Sequence, residues 1–239
     1  LFLLARTKPQ VQAIVAAAIL VLYWLAFALT PLPPPGFDTT TVGVPADWPH
    51  QLSGFAAHWN KNTNFAHYAD VWFLNLFPRE KPFAFNGGGY LTLNFVPSLA
   101  TMIFGLLAGE VLKSKRTHAE KLRLLLMGGA AGLILGAVLH FAGVCPIVKR
   151  IWTPSWALFS TGWALLFLAA WYWLIDVRGY KKWAFPLLVV GMNSIAMYFL
   201  VHVIVDYTGN ALKIHLGQHV FERFGTLYAP ILEGAAVLA

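Results

Sequence analysis

Residues 124–148 read LLLMGGAAGLILGAVLHFAGVCPIV, a stretch without a single Asp, Glu, Lys or Arg. About 20 apolar residues in a helix cross the hydrocarbon core of a bilayer, so this stretch is long enough to span a membrane. Its apolar residues follow one another continuously and do not alternate with polar ones, which favours a helix over a membrane β-strand. The stretch therefore predicts a transmembrane helix.

Further uncharged runs extend this prediction along the chain. They cover residues 11–29, 90–109, 151–175 and 183–205, and a sixth apolar stretch, which contains Glu233, begins near Leu227 and stops at Ala239. The chain opens with Leu1 inside an apolar stretch, so we expect a piece of a longer protein. The expected fold is an all-α polytopic transmembrane helix bundle with five full spans and a truncated sixth, forming one integral membrane domain over residues 1–239.

The composition agrees with a membrane protein and excludes several other classes. Only 11% of the 239 residues are charged and 58% are hydrophobic, whereas about 25% are charged in an ordinary soluble domain. This balance excludes a water-soluble globule and general disorder. The single cysteine, Cys145, excludes an internal disulfide framework, and no Cys/His spacing typical of a metal site is present.

Lys and Arg are concentrated in every second connection between the spans. They precede the first span, account for five of the residues at 113–123 and occur again at residues 178–182. Short loops rich in these residues stay in the cytoplasm, so we expect the chain to start inside and segments 31–89, 149–155 and 207–226 to lie outside. This rule explains the net charge of +7 without nucleic acid. Lys149 and Arg150 are exceptions on the outer side.

The external segment, residues 31–89, is the one long connection, and it is rich in Trp, His and Asp. A structureless loop of this length is unusual, so we expect a short helix around residues 54–76 that lies over the outer surface. Two interpretations stay open. The segment is either an interfacial cap with its aromatic side chains at headgroup depth, or a site where aromatic faces and carboxylates hold a polar substrate such as a sugar.

Small and polar residues recur at steps of four in the third span, at Gly128, Gly132, Gly136 and His140. The three glycines form a flat helix face that indicates close packing against another helix. His140 is either hydrogen-bonded to a neighbouring helix or part of a catalytic or substrate-binding site. The same packing role is expected for a small pair in the second span, Gly105 and Gly109.

In the fifth span Asn193 is followed by polar residues at steps of four, at Ser194, Tyr198, His202 and Asp206, and these four share one slowly drifting helix face. Side chains four residues apart are neighbours on a helix, so Asp206 can reach His202. A carboxylate at that distance fixes the imidazole tautomer and favours its protonated form, which suits a proton acceptor and equally suits a structural hydrogen bond.

A glycine-rich stretch, residues 86–90, leads from the external segment into the second span. Free N–H groups at a helix N-terminus attract anions, so this stretch predicts either a ligand site or simply a flexible lead into the span. It is neither a P-loop nor a dinucleotide fingerprint, because no strand precedes it and no Lys-Ser/Thr pair follows.

Three stretches together resemble the heparan-alpha-glucosaminide N-acetyltransferase family and its bacterial relatives. They are NGGGYLTLNFVPSLATMIFGLLAGEVL at 86–112, CPIVKRIWTPSWALFSTGWALLFLAAWYWLIDVRGY at 145–180 and GMNSIAMYFLVH at 191–202. They match the C-terminal part of the family in order and spacing. The matching positions are Asn86, Gly88, Gly89, Pro97, Pro146, Lys149, Trp152, Ser155, Asp176, Gly179, Asn193, Ser194 and His202.

The resemblance implies a multispan enzyme of the bacterial cytoplasmic membrane that moves an acetyl group from cytosolic acetyl-CoA to an amino sugar or other glycan outside. The family places its central histidine in an N-terminal segment. Neither the Arg- and Asp-containing opening motif nor the His-x-Pro-Trp stretch of that segment occurs in residues 1–239. That role is therefore carried over to no position.

These lines lead to one set of candidate residues. A base that takes the amine proton and a group that polarises the carbonyl are needed for acetyl transfer. We expect His202, supported by Asp206, to act in catalysis, and Asn193 or Asn94 to donate to the carbonyl oxygen. The expected substrate-binding residues are Asn86, Gly88, Gly89, Asn94, His140, Trp152, Asn193 and Ser194.

The expected partners are the lipid bilayer, the glycan substrate and acetyl-CoA. The phosphates of acetyl-CoA would lie near residues 113–123 or 178–182. A homodimer is an open alternative to a monomer. Two other classes of function stay open. A sugar transporter typically has broken helices and repeated halves, and the sequence indicates neither. The second open class of function is a membrane scaffold without catalytic activity.

Overall fold

The structure, a computed structural model, describes residues 6–217 together with residues 221 and 229, with backbone alone at 186, 200–203, 205 and 206. Its regular elements in this part of the chain are all helical, which confirms the all-α part of the predicted fold class. The chain divides into two compact units, Leu1–Val177 and Arg178–Ala239. The helices are α1 (Pro9–Ala28), α2 (Phe65–Leu74), α3 (Phe95–Lys113), α4 (His118–Phe141), α5 (Pro154–Tyr172), α6 (Phe185–Met192) and α7 (Ser194–Leu216).

Four helical segments among the described residues are long and apolar enough to cross a membrane. They are Pro9–Ala28, Thr92–Lys113, His118–Phe141 and Pro154–Val177. Each overlaps one of the first four predicted spans, and together they indicate a multi-pass membrane protein. The predicted sixth span lies outside the described residues.

The helix boundaries differ from the uncharged runs because capping, and not charge, decides where a helix begins. The third predicted span began at residue 124, but α4 starts at His118, after a capping box in which Thr117 and Glu120 satisfy each other's backbone N–H groups. At its other end α4 stops at Phe141. Residues 142–148 are therefore not helical, and they form a turn toward α5.

The fifth predicted span is divided between two helices. Asn193 has φ −113° and ψ 31° and separates α6 from α7. Its side-chain Nδ2 donates to the Val189 carbonyl at 2.9 Å, so the amide competes with the backbone ladder at this point. The sequence did not indicate this interruption. The second helix continues to Leu216, past the predicted end at residue 205.

The tightest packing in the first unit joins α4 and α5 through glycines. A Cβ atom added at Gly132 would lie 2.8 Å from the Leu158 carbonyl oxygen, and one added at Gly162 would lie 2.6 Å from the Leu133 backbone nitrogen. Farther along α4, Gly136 faces the Ser155 carbonyl. Successive positions along α4 thus contact α5 in the reverse order of its sequence, so the two helices are antiparallel. The close contact predicted for the glycine face is confirmed at Gly132 and Gly136.

Three other glycines behave differently from the prediction. A Cβ at Gly128 would meet only the Leu165 side chain, at 3.3 Å, whereas its neighbour Gly129 lies against the Gly162 carbonyl. A Cβ at Gly105 or Gly109 would meet nothing within 4 Å. The expected packing of this small pair is therefore wrong within the described part of the chain, because helix rotation turns that face of α3 away from its neighbours.

Two contacts fix α1 and α3 side by side. Ala16 and Leu20 of α1 pack with Ala100 and Ile103 of α3 in a fully apolar cluster. Near one end of the pair, the buried Gln12 Nε2 donates to the Glu110 carboxylate at 2.7 Å. The start of α1 thus meets the end of α3, so these two helices are also antiparallel.

The connecting segment, residues 31–89, folds back over the end of α1. It contains 3₁₀ turns at Thr39–Val42 and Gly54–Trp59 and the helix α2, so the predicted helical structure at 54–76 is present. Trp59 is buried and stacks on Phe27 at a centroid distance of 6.2 Å. Trp72 of α2 is 67% exposed. The aromatic residues therefore divide between a buried cluster and an exposed face of the kind found at membrane interfaces.

The buried carboxylate of Asp70 joins this segment to α3. Both of its oxygens accept from the Thr92 backbone N–H, at 3.0 and 3.2 Å. Thr92 opens the 3₁₀ turn Thr92–Asn94 that leads directly into α3. Asp70 is one of the carboxylates of the external segment that the sequence analysis considered for substrate binding. In the structure it instead holds the segment to the start of α3.

Candidate functional site

A cavity of about 660 Å³ lies between the connecting segment and the turn that joins α4 to α5. We name it the polar pocket. Its walls come from parts of the chain that are far apart in sequence, so only the folded chain forms it. The lining residues are Trp48, Pro49, His50, Gln51, Leu52, Trp59, Asn60, Lys61, Gly89, His140, Pro146, Ile147, Val148, Lys149, Arg150 and Ile151.

The wall at residues 146–151 is held by a small buried hydroxyl network. Thr153 Oγ1 donates to the Pro146 carbonyl at 2.8 Å and accepts from the Val148 N–H at 3.0 Å. Ser155 Oγ donates to the same carbonyl at 2.7 Å. Because these hydroxyls satisfy the backbone of a turn that has no ladder of its own, they fix the direction of the side chains at 147–150.

Among the residues that the structure describes, three cationic side chains line the polar pocket, and no Asp or Glu does. Lys61 places its Nζ 4.9 Å from the centre of the Trp48 ring. Arg150 donates from Nη1 to the Gly88 carbonyl at 2.8 Å and lies 6.0 Å from the Tyr90 ring. The pocket is therefore positively charged and bordered by aromatic faces, a combination that suits an anionic ligand with a ring.

His140 lines the polar pocket at the end of α4. Its Nδ1 accepts from the Ile147 backbone N–H at 3.3 Å, so the proton of the neutral imidazole is on Nε2. In this state the free ring nitrogen is a hydrogen-bond donor and not a base. The geometry therefore favours substrate binding over proton abstraction among the roles that the sequence left open for His140.

The glycine stretch contributes Gly89 to the pocket wall. Gly89 has φ +73°, and a Cβ there would lie 3.2 Å from the Lys61 side chain, so any larger residue is disfavoured. Its N–H donates to the Asn86 carbonyl at 2.9 Å, and the Tyr90 N–H donates to Asn86 Oδ1 at 3.4 Å. The helix α3 begins only at Phe95. Two of the N–H groups suggested by the sequence, those of Gly89 and Tyr90, are thus already partnered, and the stretch lies outside a helix N-terminus.

Several predicted substrate residues instead hold the pocket frame. Gly88 accepts from Arg150, and Asn94 Nδ2 donates to the Arg150 carbonyl at 2.7 Å. Trp152 is packed against the α1, α3 and α5 core and donates to Thr101 Oγ1 at 3.2 Å. Neither Asn86 nor any of these three residues lines the pocket.

The remaining predicted site residues belong to the second unit. Asn193 stands between α6 and α7, and Ser194 is the first residue of α7. His202 and Asp206 are both in the backbone of α7, one turn apart, while their side chains lie outside what the structure describes. Their proposed catalytic pairing stays a prediction.

The sequence reading missed Lys61 and the polar residues beside it. Residues 60–64 read NKNTN, and their Asn and Thr side chains are buried. Asn62 has φ 55° and donates from Nδ2 to the Val42 and Asn86 carbonyls, at 2.8 and 3.1 Å. Several Asn residues around one Lys are typical of a tightly turned polar segment. The sequence at residues 60–64 therefore contained the pattern that could have predicted this part of the pocket.

Acidification is expected to destabilise the protein through His67, which is buried beside Asp70. Burial lowers the pKa of His67 below its ordinary 6.5, against an opposing effect of Asp70. In the window below 6.5 the unfolded chain binds more protons than the folded chain, so the free energy of unfolding falls as the pH falls. We expect the thermal midpoint in detergent to drop between about pH 7.5 and about pH 5.5, and to drop less in His67→Gln.

The control for this experiment is His50→Gln, at an exposed histidine of the same segment. It should keep the wild-type drop. An equal drop in His67→Gln and in the wild-type protein would contradict the assignment.

Comparisons with protein-family models, with curated proteins and with solved structures return no match to this chain. The resemblance to the acetyltransferase family therefore stays a hypothesis that rests on the three quoted stretches.

Proposed function

We propose that the chain is part of a bacterial membrane-embedded acyltransferase of the heparan-alpha-glucosaminide N-acetyltransferase type. It would move an acetyl group from cytosolic acetyl-CoA to an amino sugar or other glycan on the external side, in a bundle of five spans and a sixth. The polar pocket is the observation that carries this proposal, because it brings His140 and Gly89 of the predicted site together with aromatic and cationic side chains in a space of sugar size.

The pocket lies at the end of the bundle where the predicted topology places the acceptor. The end of α1 meets the α4–α5 turn there, through a hydrogen bond from Trp24 Nε1 to the Val144 carbonyl at 2.9 Å. The basic connection between α3 and α4 is at the other end of these helices, and its Lys115 and Arg116 are exposed. Acceptor and donor would therefore approach from opposite faces, with the coenzyme phosphates beside the exposed cations.

In the proposed reaction the acceptor nitrogen or oxygen attacks the thioester carbonyl carbon. The carbon–sulfur bond breaks and coenzyme A leaves as its thiolate, while the proton of the acceptor passes to a base that returns it to the thiolate. His140 Nε2–H would donate to the acceptor and orient it. Within the second unit, the spacing of His202 and Asp206 along α7 is the separate argument for their proposed role in supporting a base.

A sugar transporter is the second candidate, and one observation favours it. The interruption at Asn193 divides the fifth span into two helices, and discontinuous helices are typical of transporter binding sites. The two functions differ in their products, because transport leaves the sugar unmodified.

Vesicles of known orientation that contain the intact gene product separate these functions. We expect labelled acetyl groups to appear on an amino sugar only when acetyl-CoA is supplied at the cytoplasmic face and the sugar at the opposite face. Acetyl-pantetheine, which lacks the nucleotide phosphates, is the matched donor and should transfer more slowly. Uptake of unmodified sugar without acetyl transfer would replace the acyltransferase by the transporter.

A further inference from the structure

The positive charges of the polar pocket are not explained by the predicted topology. Lys149 and Arg150 fall on the predicted outer side, where short loops have no preference for Lys and Arg. The structure places both beside Lys61 in one cavity wall. Arg150 contacts a carbonyl group and a ring and Lys61 contacts a ring, and none of the three cations forms an ion pair within the described part of the chain. Three cations without a counter-charge favour an anionic ligand.

A second cavity of about 420 Å³ lies in the membrane-spanning part of the same unit, between α1 and the α4–α5 pair. We name it the apolar groove. The segment 139–148 contributes to both cavities, with Leu139, Val144 and Cys145 on the groove and His140 on the polar pocket. The full lining is Ala17, Leu20, Val21, Trp24, Phe104, Leu139, Val144, Cys145, Pro154 and Leu158.

The groove offers no hydrogen bond to a polar ligand. Its one side-chain N–H, from Trp24, is used by the Val144 carbonyl. Burying hydrocarbon against such a surface contributes roughly 25 cal/mol per Å² of apolar area. A cationic pocket and an apolar groove that share one segment match a molecule with an anionic head and a hydrocarbon tail.

We propose that the acceptor is a phosphate-bearing amphiphile, a glycan joined through phosphate to a lipid chain. The phosphate contacts Lys61, Lys149 and Arg150, the sugar lies against the Trp48 ring, and the chain occupies the apolar groove. Arg150 uses one N–H on Gly88 and keeps others for the ligand. The role as acceptor rests on the proposed acyltransferase function, whereas the binding of the amphiphile does not.

Photolabelling of the intact protein in detergent tests the site with a defined probe, a photoactivatable C15 isoprenyl phosphate. We expect adducts on peptides that contain residues 139–148 or α1. Unlabelled isoprenyl phosphate should compete, and the matching alcohol or inorganic phosphate should each compete at least about tenfold more weakly. Equal competition by the alcohol, or by inorganic phosphate, overturns the proposal, because the site would then recognise only one half of the molecule.

Two matched pairs of variants locate the head and the tail. Lys149→Gln with Arg150→Gln should lower labelling about tenfold, while Arg79→Gln with Lys81→Gln removes the same charge from exposed positions outside the pocket and should leave it unchanged. Ala17→Phe fills the groove and should lower labelling, while Ala18→Phe on an exposed neighbouring face of α1 should not. Size-exclusion profiles confirm that each variant is folded, and equal labelling within either pair contradicts the assigned position.

Acetyl transfer then distinguishes the two proposals. Specific labelling without transfer from acetyl-CoA to an amino-sugar isoprenyl phosphate would reject the acyltransferase and keep the amphiphile site. Transfer to free amino sugars without specific labelling would keep the acyltransferase and reject the lipid-linked acceptor.

Discussion

Replacing Gly162 by alanine is expected to lower the free energy of unfolding by about 3 kcal/mol, near the upper end for an overpacked core. The new Cβ would lie 2.6 Å from the Leu133 backbone nitrogen and 2.8 Å from the Gly129 carbonyl oxygen. Backbone atoms of a neighbouring helix cannot rotate away as a side chain can, so α4 and α5 must move apart. The separation would also shift the α4–α5 turn that forms one wall of the polar pocket.

The matched control is Gly105→Ala, also within a spanning helix but with nothing within 4 Å of the added atom. It removes backbone freedom without a clash and should leave stability unchanged or raise it by about 0.5 kcal/mol. Unfolding in a denaturing detergent, followed by circular dichroism, compares the variants. Equal midpoints for Gly162→Ala and Gly105→Ala would show that the α4–α5 contact is not as close as described.

His202→Ala in the full-length protein is expected to reduce acetyl transfer by more than about tenfold, because a positioned general base typically contributes about 10²- to 10⁴-fold. The physical reason is the spacing, since Asp206 stands one turn along α7 and can orient the imidazole and stabilise its charged form. Single-turnover rates in vesicles, with saturating acetyl-CoA, measure this step directly.

His215→Ala is the matched control, because it removes an exposed histidine from the same helix. Its rate should equal that of the wild-type protein. Asp206→Asn should retain binding but change the pH dependence of the rate. Unchanged turnover in His202→Ala, with normal folding, would remove this residue from the mechanism.

The hydrophobic pattern was sufficient to predict the helices but not where they end. The uncharged run at 124–148 correctly indicated α4, yet the helix begins at the Thr117 cap and stops before the pocket turn. The glycine steps predicted a close helix contact, and Gly132 and Gly136 make it. The pair Gly105 and Gly109 has the same spacing without the contact, because spacing defines a face and not what lies opposite it.

The candidate site was predictable only in part. His140 and Gly89 line the polar pocket as expected, whereas Asn94 and Trp152 use their polar groups to hold its frame. Lys61 was missed because its partners in the wall, Lys149 and Arg150, are distant in sequence. The spacing of residues within one segment shows which of them share a helix face. It does not show which other segment of the chain they contact.

The amino-acid sequence by itself determined that the chain forms helices long and apolar enough to cross a membrane, since long uncharged runs have few other low-energy states in or near a bilayer. The tertiary structure alone decided which side chains meet. It assembled the polar pocket from the connecting segment and the α4–α5 turn, and it assigned the Asp70 carboxylate to the Thr92 backbone. The physical reason is that burial in lipid depends on local composition, whereas a binding site depends on distances between residues that only packing fixes.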